Sequence, residues 1–154
     1  MNYLAIDTSG GYLTVAARGK KSCLIYREDV GLRHSVTLMD AVEECLGKAE
    51  LPLGDVDVFA CAVGPGSFTG IRIGVATAKA FAYANNAKVL AVTSFESLAY
   101  NAGKEGTKLV LIDAGHSYRY ACGFDKDNKI VLSPCYLSDG EIAKLVSSYD
   151  AVIV

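Results

Sequence analysis

The chain has 154 residues, 51% of them apolar, and a formal net charge of −2, which fits one packed unit and excludes a disordered or fibrous chain. Its 15 Lys and Arg are spread among 17 Asp and Glu with no basic cluster, which excludes a large nucleic-acid surface of its own. No apolar run approaches the roughly 18 residues of a membrane span, and the first seven residues lack the basic stretch of a secretory signal, so a cytoplasmic protein is expected.

In chain order, residues 3–6 read as a buried strand, 8–11 as a turn, and 12–17 and 23–26 as two further strands of a meander. Residues 34–48 place Val36, Met39, Val42, Leu46 and, just beyond, Ala49 at helical spacing, and Pro52 and Gly54 stop the helix. A buried strand at 57–63 leads into a glycine loop and a second helix at 71–84, alanine-rich and apolar on nearly every side, so that more than one of its faces needs covering. A strand at 88–92 follows, then a short helix to Asn101 opened by a Thr93/Glu96 capping box.

From residue 108 the order begins again. Leu109-Val-Leu-Ile-Asp113 echoes Leu4-Ala-Ile-Asp7, residues 118–124 and 130–132 echo the second and third strands, Ser138 with Glu141 caps a helix to Ser147, and 151–154 echo the strand before the glycine loop. The reading is an α/β chain of duplicated βββαβ units, divided as residues 1–103 and 104–154, with the second copy stopping at its fourth strand. An unfinished sheet of that kind is expected to leave apolar surface, whether the chain is a fragment or a natural short form.

The loop Gly64-Pro-Gly-Ser-Phe-Thr-Gly-Ile-Arg-Ile-Gly74 carries the chemical signal. Gly64, Gly66 and Gly70 permit positive φ and close backbone approach, and the helix start after them, with Ser67 and Thr69 beside the glycines, offers N–H groups to an anion such as phosphate. The loop is not a P-loop, because Ile71 and Arg72 stand where Lys and Ser/Thr are required, nor a dinucleotide fingerprint, because Thr69 stands at the third glycine. A tight strand-to-helix turn without ligand fits the spacing equally well. The five cysteines, Cys23, Cys45, Cys61, Cys122 and Cys135, form no Cys-x-x-Cys pair and read as reduced core residues.

The same loop, the opening Leu4-Ala-Ile-Asp-Thr-Ser9, Arg33-His34-Ser35, Val92-Thr-Ser-Phe-Glu-Ser-Leu-Ala99 and Leu111-Ile-Asp-Ala114 together resemble the TsaB (YeaZ) family over essentially the whole chain. The resemblance implies an actin-like ATPase (ASKHA, ribonuclease H-like) fold without catalysis. It implies a scaffold for a TsaD-like paralogue that modifies tRNA with threonylcarbamoyladenosine, alongside a TsaE-like ATPase, with homodimers in isolation and tRNA reached only through the complex. By the same resemblance Asp7, Thr8 and Ser9 occupy the places that hold metal and phosphates in actin-like ATPases, while Asp7 capping its own turn is the plainer alternative. TsaD-type relatives carry a His-x-x-x-His metal pair where this chain has Ser94 and Leu98, so no catalytic residue, metal ligand or cofactor is expected, weak nucleotide or Mg²⁺ binding being left open. Family members often show Asp-Ala-Arg where this chain has Asp113-Ala114-Gly115, with Arg119 as the nearby substitute.

The rivals are a weak ATPase or glycoprotease-like hydrolase of the same superfamily, and a sugar-kinase-like enzyme, which needs a second domain of comparable size. The expected partner surface is the glycine-loop helix, through Gly70, Gly74, Ala76 and Ala80, beside the helix that His34 opens.

Overall fold

The computed structural model describes residues 1–27, 34–103 and 105–154, with the side chains of residues 27 and 34–36 outside that description. Two compact units result, Met1–Val92 and Thr93–Val154.

In the first unit, β1 (Tyr3–Asp7), β2 (Leu13–Arg18) and β3 (Ser22–Arg27) form the antiparallel meander, α1 (His34–Lys48) crosses to β4 (Val58–Ala62), and α2 (Phe68–Asn85) crosses to β5 (Lys88–Val92). The sheet order is β3-β2-β1-β4-β5, with β4 parallel to both β1 and β5. Strict alternation sends Leu4, Ile6, Leu13 and Val15 to one face, where both helices close the core with Phe59 and Cys61 of β4. The buried stripe of α1 is Leu38, Ala41, Val42, Cys45 and Leu46, with Ala49 just past its end. Met39, expected inside, is 44% exposed, because Ala41 and Cys45 complete the apolar stripe on the opposite flank of Val42. The helix α2 starts three residues ahead of the expected position, since Ser67 caps it by accepting from the N–H of Gly70.

In the second unit, α3 (Ser94–Asn101) precedes β6 (Lys108–Gly115), β7 (Tyr118–Phe124) and β8 (Ile130–Ser138), and α4 (Asp139–Leu145) leads to β9 (Ala151–Ile153). Both predicted capping boxes form, Thr93 with Glu96 and Ser138 with Glu141. The order is β8-β7-β6-β9 with β9 parallel to β6, the same order and directions as β3-β2-β1-β4, so the duplication holds. The division falls after Val92, where the sequence reading drew it after Gly103, because α3 buries Phe95 and Ala99 against Val110, Cys122 and Phe124 of the second sheet.

The residue-by-residue echo is corrected by one position. Helices α1 and α4 follow the third strand of each copy; Leu4 and Ile6 lie on the face that α1 covers, and Leu109 and Leu111 on the face that α4 covers. Leu109 and Leu111 therefore stand in the places of Leu4 and Ile6, and Asp113 falls one residue past the place of Asp7. A shift of one residue turns a side chain to the other face of a sheet.

Candidate functional site

The first strand ends in a turn built by Asp7. Its Oδ1 accepts from the backbone N–H of Ser9 at 2.8 Å and from the Ser9 hydroxyl at 2.7 Å, an Asx turn that closes the β1–β2 connection. The glycine loop lies directly on this turn. The N–H of Ser67 donates to the Ser9 carbonyl at 2.6 Å, and the Thr8 hydroxyl, 1% exposed, donates to the Gly70 carbonyl at 2.7 Å.

That contact explains the glycine spacing. A Cβ on Gly66 would run into the Ser9 carbonyl, one on Gly70 into the Thr8 carbonyl, and one on Gly74 would lie 2.6 Å from the Thr8 hydroxyl oxygen. The glycines thus let α2 approach the β1–β2 turn at backbone distance, and Gly64 adds a φ of 93° that side chains disfavour. The structure brings Asp7, Thr8 and Ser9 together with Gly66, Ser67 and Gly70 in one corner. Gly64 is buried before them against Ile71, and Thr69 is exposed on the first turn of α2.

The partner-surface residues separate into two groups. Gly70 and Gly74 are buried with Ala78 and Ala82 on the inner side of α2, facing the chain's own turn and sheet, so they contribute to internal packing and not to an outward face. Ala76 and Ala80 are exposed, as expected. They lie on a stripe with Phe68 (73% exposed), Arg72, Lys79 and Tyr83 (92% exposed), and the Arg72 guanidinium sits 5.5 Å from the Phe68 ring centre. Phe68 and Tyr83 were not singled out from sequence, although they continue the helical spacing of the two alanines. The side chain of His34 lies outside the described residues.

In the second unit Ser94 is buried at the start of α3, and Leu98 packs against the core of Phe95 and Val110. Among the described residues no group of three or more His, Cys, Asp or Glu comes together as a metal site. Asp113 accepts from the Gly115 N–H at 3.2 Å and from Arg119 Nη1 at 2.7 Å, and Arg119 Nε lies 3.6 Å from Asp139, so Arg119 is held between two carboxylates. Burial pushes the Cys45 thiol up to about 12 and the Cys122 thiol up to about 11, in keeping with reduced core cysteines.

Sequence reasoning missed Lys108, which is fully buried and donates its ammonium to the Ala99 and Gly103 carbonyls and, at 2.6 Å, to Asn128 Oδ1.

Residues 26–149 match the family described as TsaD: tRNA N6-adenosine threonylcarbamoyltransferase. The chain is 38% identical over 102 residues to the tRNA threonylcarbamoyladenosine biosynthesis protein TsaB of Bacillus subtilis, covering 66% of this chain and 44% of that one. It is 30% identical over 130 residues to the TsaB protein of Escherichia coli, covering 82% and 56%. The chain thus spans about half the length of these relatives. The solved structure of YeaZ from Pseudomonas aeruginosa superposes with a TM-score of 0.84 at 24% identity, covering 98% of this chain and 82% of that one, and it shares the expected actin-like α/β fold.

Proposed function

Because the chain belongs to the TsaB (YeaZ) group within the TsaD family, we propose that it serves threonylcarbamoyladenosine modification of tRNA as a non-catalytic subunit that supports a TsaD-like enzyme. The observation that carries this reading is the glycine loop. Its close-approach positions are filled by the chain's own Thr8 and Ser9, so the loop works as a joint that fixes α2 against the sheet. Ser94 and Leu98, where TsaD-type enzymes carry a histidine pair, support the same reading, since neither side chain matches imidazole as a metal ligand. Weak nucleotide or Mg²⁺ binding beside Asp7 is compatible with it.

What the joint presents is the outer stripe of α2. Phe68 and Tyr83 are large exposed aromatics at its two ends, Ala76 and Ala80 leave room between them for another helix, and Arg72 and Lys79 add positive charge. In this reading a TsaD-like paralogue packs on that stripe. The TsaE-like ATPase and tRNA join through the complex in the cytoplasm, and the stripe pairs with its own copy when the paralogue is absent.

The test is a pull-down of the paralogue by Ala76→Glu and Ala80→Glu variants, which place a charge on exposed positions. Capture should fall by at least about tenfold, roughly 1.4 kcal/mol, with the melting temperature nearly unchanged. Undiminished capture by a folded variant would move the interface off α2, and phosphate release from ATP that co-purifies with the chain would favour the ATPase rival.

A further inference from the structure

Two pairs of cysteines come close in the fold, and the sheets decide which of them can bond. Cys23 stands on β3, the edge strand of the first sheet, with its side chain packed against the core that α1 closes, and Cys45 stands in the buried stripe of α1. The Cys45 thiol donates to the Val15 carbonyl at 3.5 Å and to the Cys23 carbonyl at 3.6 Å, and it hydrogen bonds the Cys23 side chain as well. Side chains in such contact meet the demand of a disulfide, which needs neighbouring Cβ atoms that point toward each other.

The second pair fails the same demand. Cys122 of β7 packs with Phe95 and Val110 beneath α3, whereas Cys135 of β8 packs with Leu109 and Ile142 beneath α4, so the sheet itself lies between these sulfurs. In the first pair the two thiols also differ in access: Cys45 is fully buried, and Cys23 is partly exposed. The Lys48 ammonium, held at 2.7 Å by Glu44, lies within electrostatic reach of both sulfurs, and a cation there favours the negative charge that a reacting sulfur develops.

We propose that Cys23 and Cys45, both free thiols in the resting chain, form a reversible disulfide when the chain meets hydrogen peroxide, which staples α1 to the edge of its sheet. The Cys23 sulfur attacks one peroxide oxygen: the S–O bond forms, the O–O bond breaks, and water leaves with the Cys23 proton, giving a sulfenic acid. The Cys45 sulfur then attacks the Cys23 sulfur: the S–S bond forms, the S–O bond breaks, and the hydroxide leaves as water with the Cys45 proton. Two thiols lose two electrons and one peroxide becomes two waters; a dithiol reductant reverses the bond. The device does not depend on the function proposed above.

The full chain is treated with a small excess of hydrogen peroxide and digested with trypsin without reduction. Mass spectrometry should show residues 22–27 linked to residues 34–48, two hydrogens lighter than the separate peptides, with the link lost on adding dithiothreitol. The oxidised chain should melt about 5 °C or more above the reduced one, a gain that Cys23→Ser on the edge strand abolishes. That variant should keep Cys45 as a thiol at the same dose, because the exposed sulfur reacts first, and Cys45→Ala should arrest Cys23 as a sulfenic acid that dimedone traps. Linkage of Cys23 or Cys45 to any other sulfur, of this chain or a second copy, overturns the proposal. So does an unaltered chain in which Cys23 passes to sulfinic acid, or stays reduced, while Cys45 remains a thiol; this measurement needs no variant and stands even if Cys45→Ala fails to fold.

Discussion

The two units solve one problem, how to fasten the end of a leading strand, by opposite means. In the first, the Asp7 turn is clamped under backbone: Gly66, Gly70 and Gly74 bring α2 down onto Thr8 and Ser9 until no side chain fits between them. In the second, Asp113 is held by a side chain, with Arg119 reaching from β7 to it and to Asp139 at the start of α4. Strand order and direction survive in both copies because alternating apolar residues and short connections dictate them. The polar end of the strand is free to diverge, so the joint is rigid backbone in one copy and a partly exposed ion pair in the other.

Glycine replacement breaks this comparison most sharply. Gly70→Ala forces a methyl into the Thr8 carbonyl and should cost about 3 kcal/mol in denaturant unfolding, whereas Gly140→Ala in α4 meets nothing within 4 Å and should raise stability by about 0.5 kcal/mol. Equal effects at the two positions would refute the backbone clamp. Next in size is Lys108→Met, which deprives the Ala99 and Gly103 carbonyls and Asn128 of their donor and should cost about 2 kcal/mol. Urea unfolding followed by probes in each unit should show that loss in the second unit.

The smallest expected loss is at the α4 cap, where Ser138→Ala should cost about 1 kcal/mol. Hydrogen bonds from the Ser138 hydroxyl and backbone hold the Glu141 carboxyl below its ordinary range. Because the folded value is the lower one, this contribution is present above the unfolded carboxyl pKa and is lost as pH falls through the folded value. Titration of Glu141 by NMR should show a depressed midpoint that Ser138→Ala moves upward; an unmoved midpoint would exclude the cap as its cause.

The elements, both capping boxes and the duplication were legible because each rests on local chemistry: period-two and period-3.6 apolar patterns, and Ser or Thr three residues before Glu. The one-residue offset between copies was not, since Leu109-Val-Leu-Ile-Asp113 aligns with Leu4-Ala-Ile-Asp7 by its aspartate or by its apolar alternation, and only the packed helices decide. The glycine loop was legible as a position and ambiguous as chemistry, because close approach to a phosphate and close approach to Thr8 make the same demand on a side chain. Lys108 was hidden for the opposite reason: a lysine at a strand start reads as solvated, and only the α3 carbonyls that fold over it give its ammonium a buried home.

The buried thiols give each unit its own clock. Burial pushes the Cys45 thiol up to about 12 and the Cys122 thiol up to about 11, so both are held protonated at neutral pH, and alkylating reagents attack the thiolate. Both sulfurs are fully buried, so labelling of each is expected to wait until its surroundings open. Cys45 then times the opening of the α1 core and Cys122 that of the α3 core, so one mass spectrum of a pulsed sample dates the two events separately.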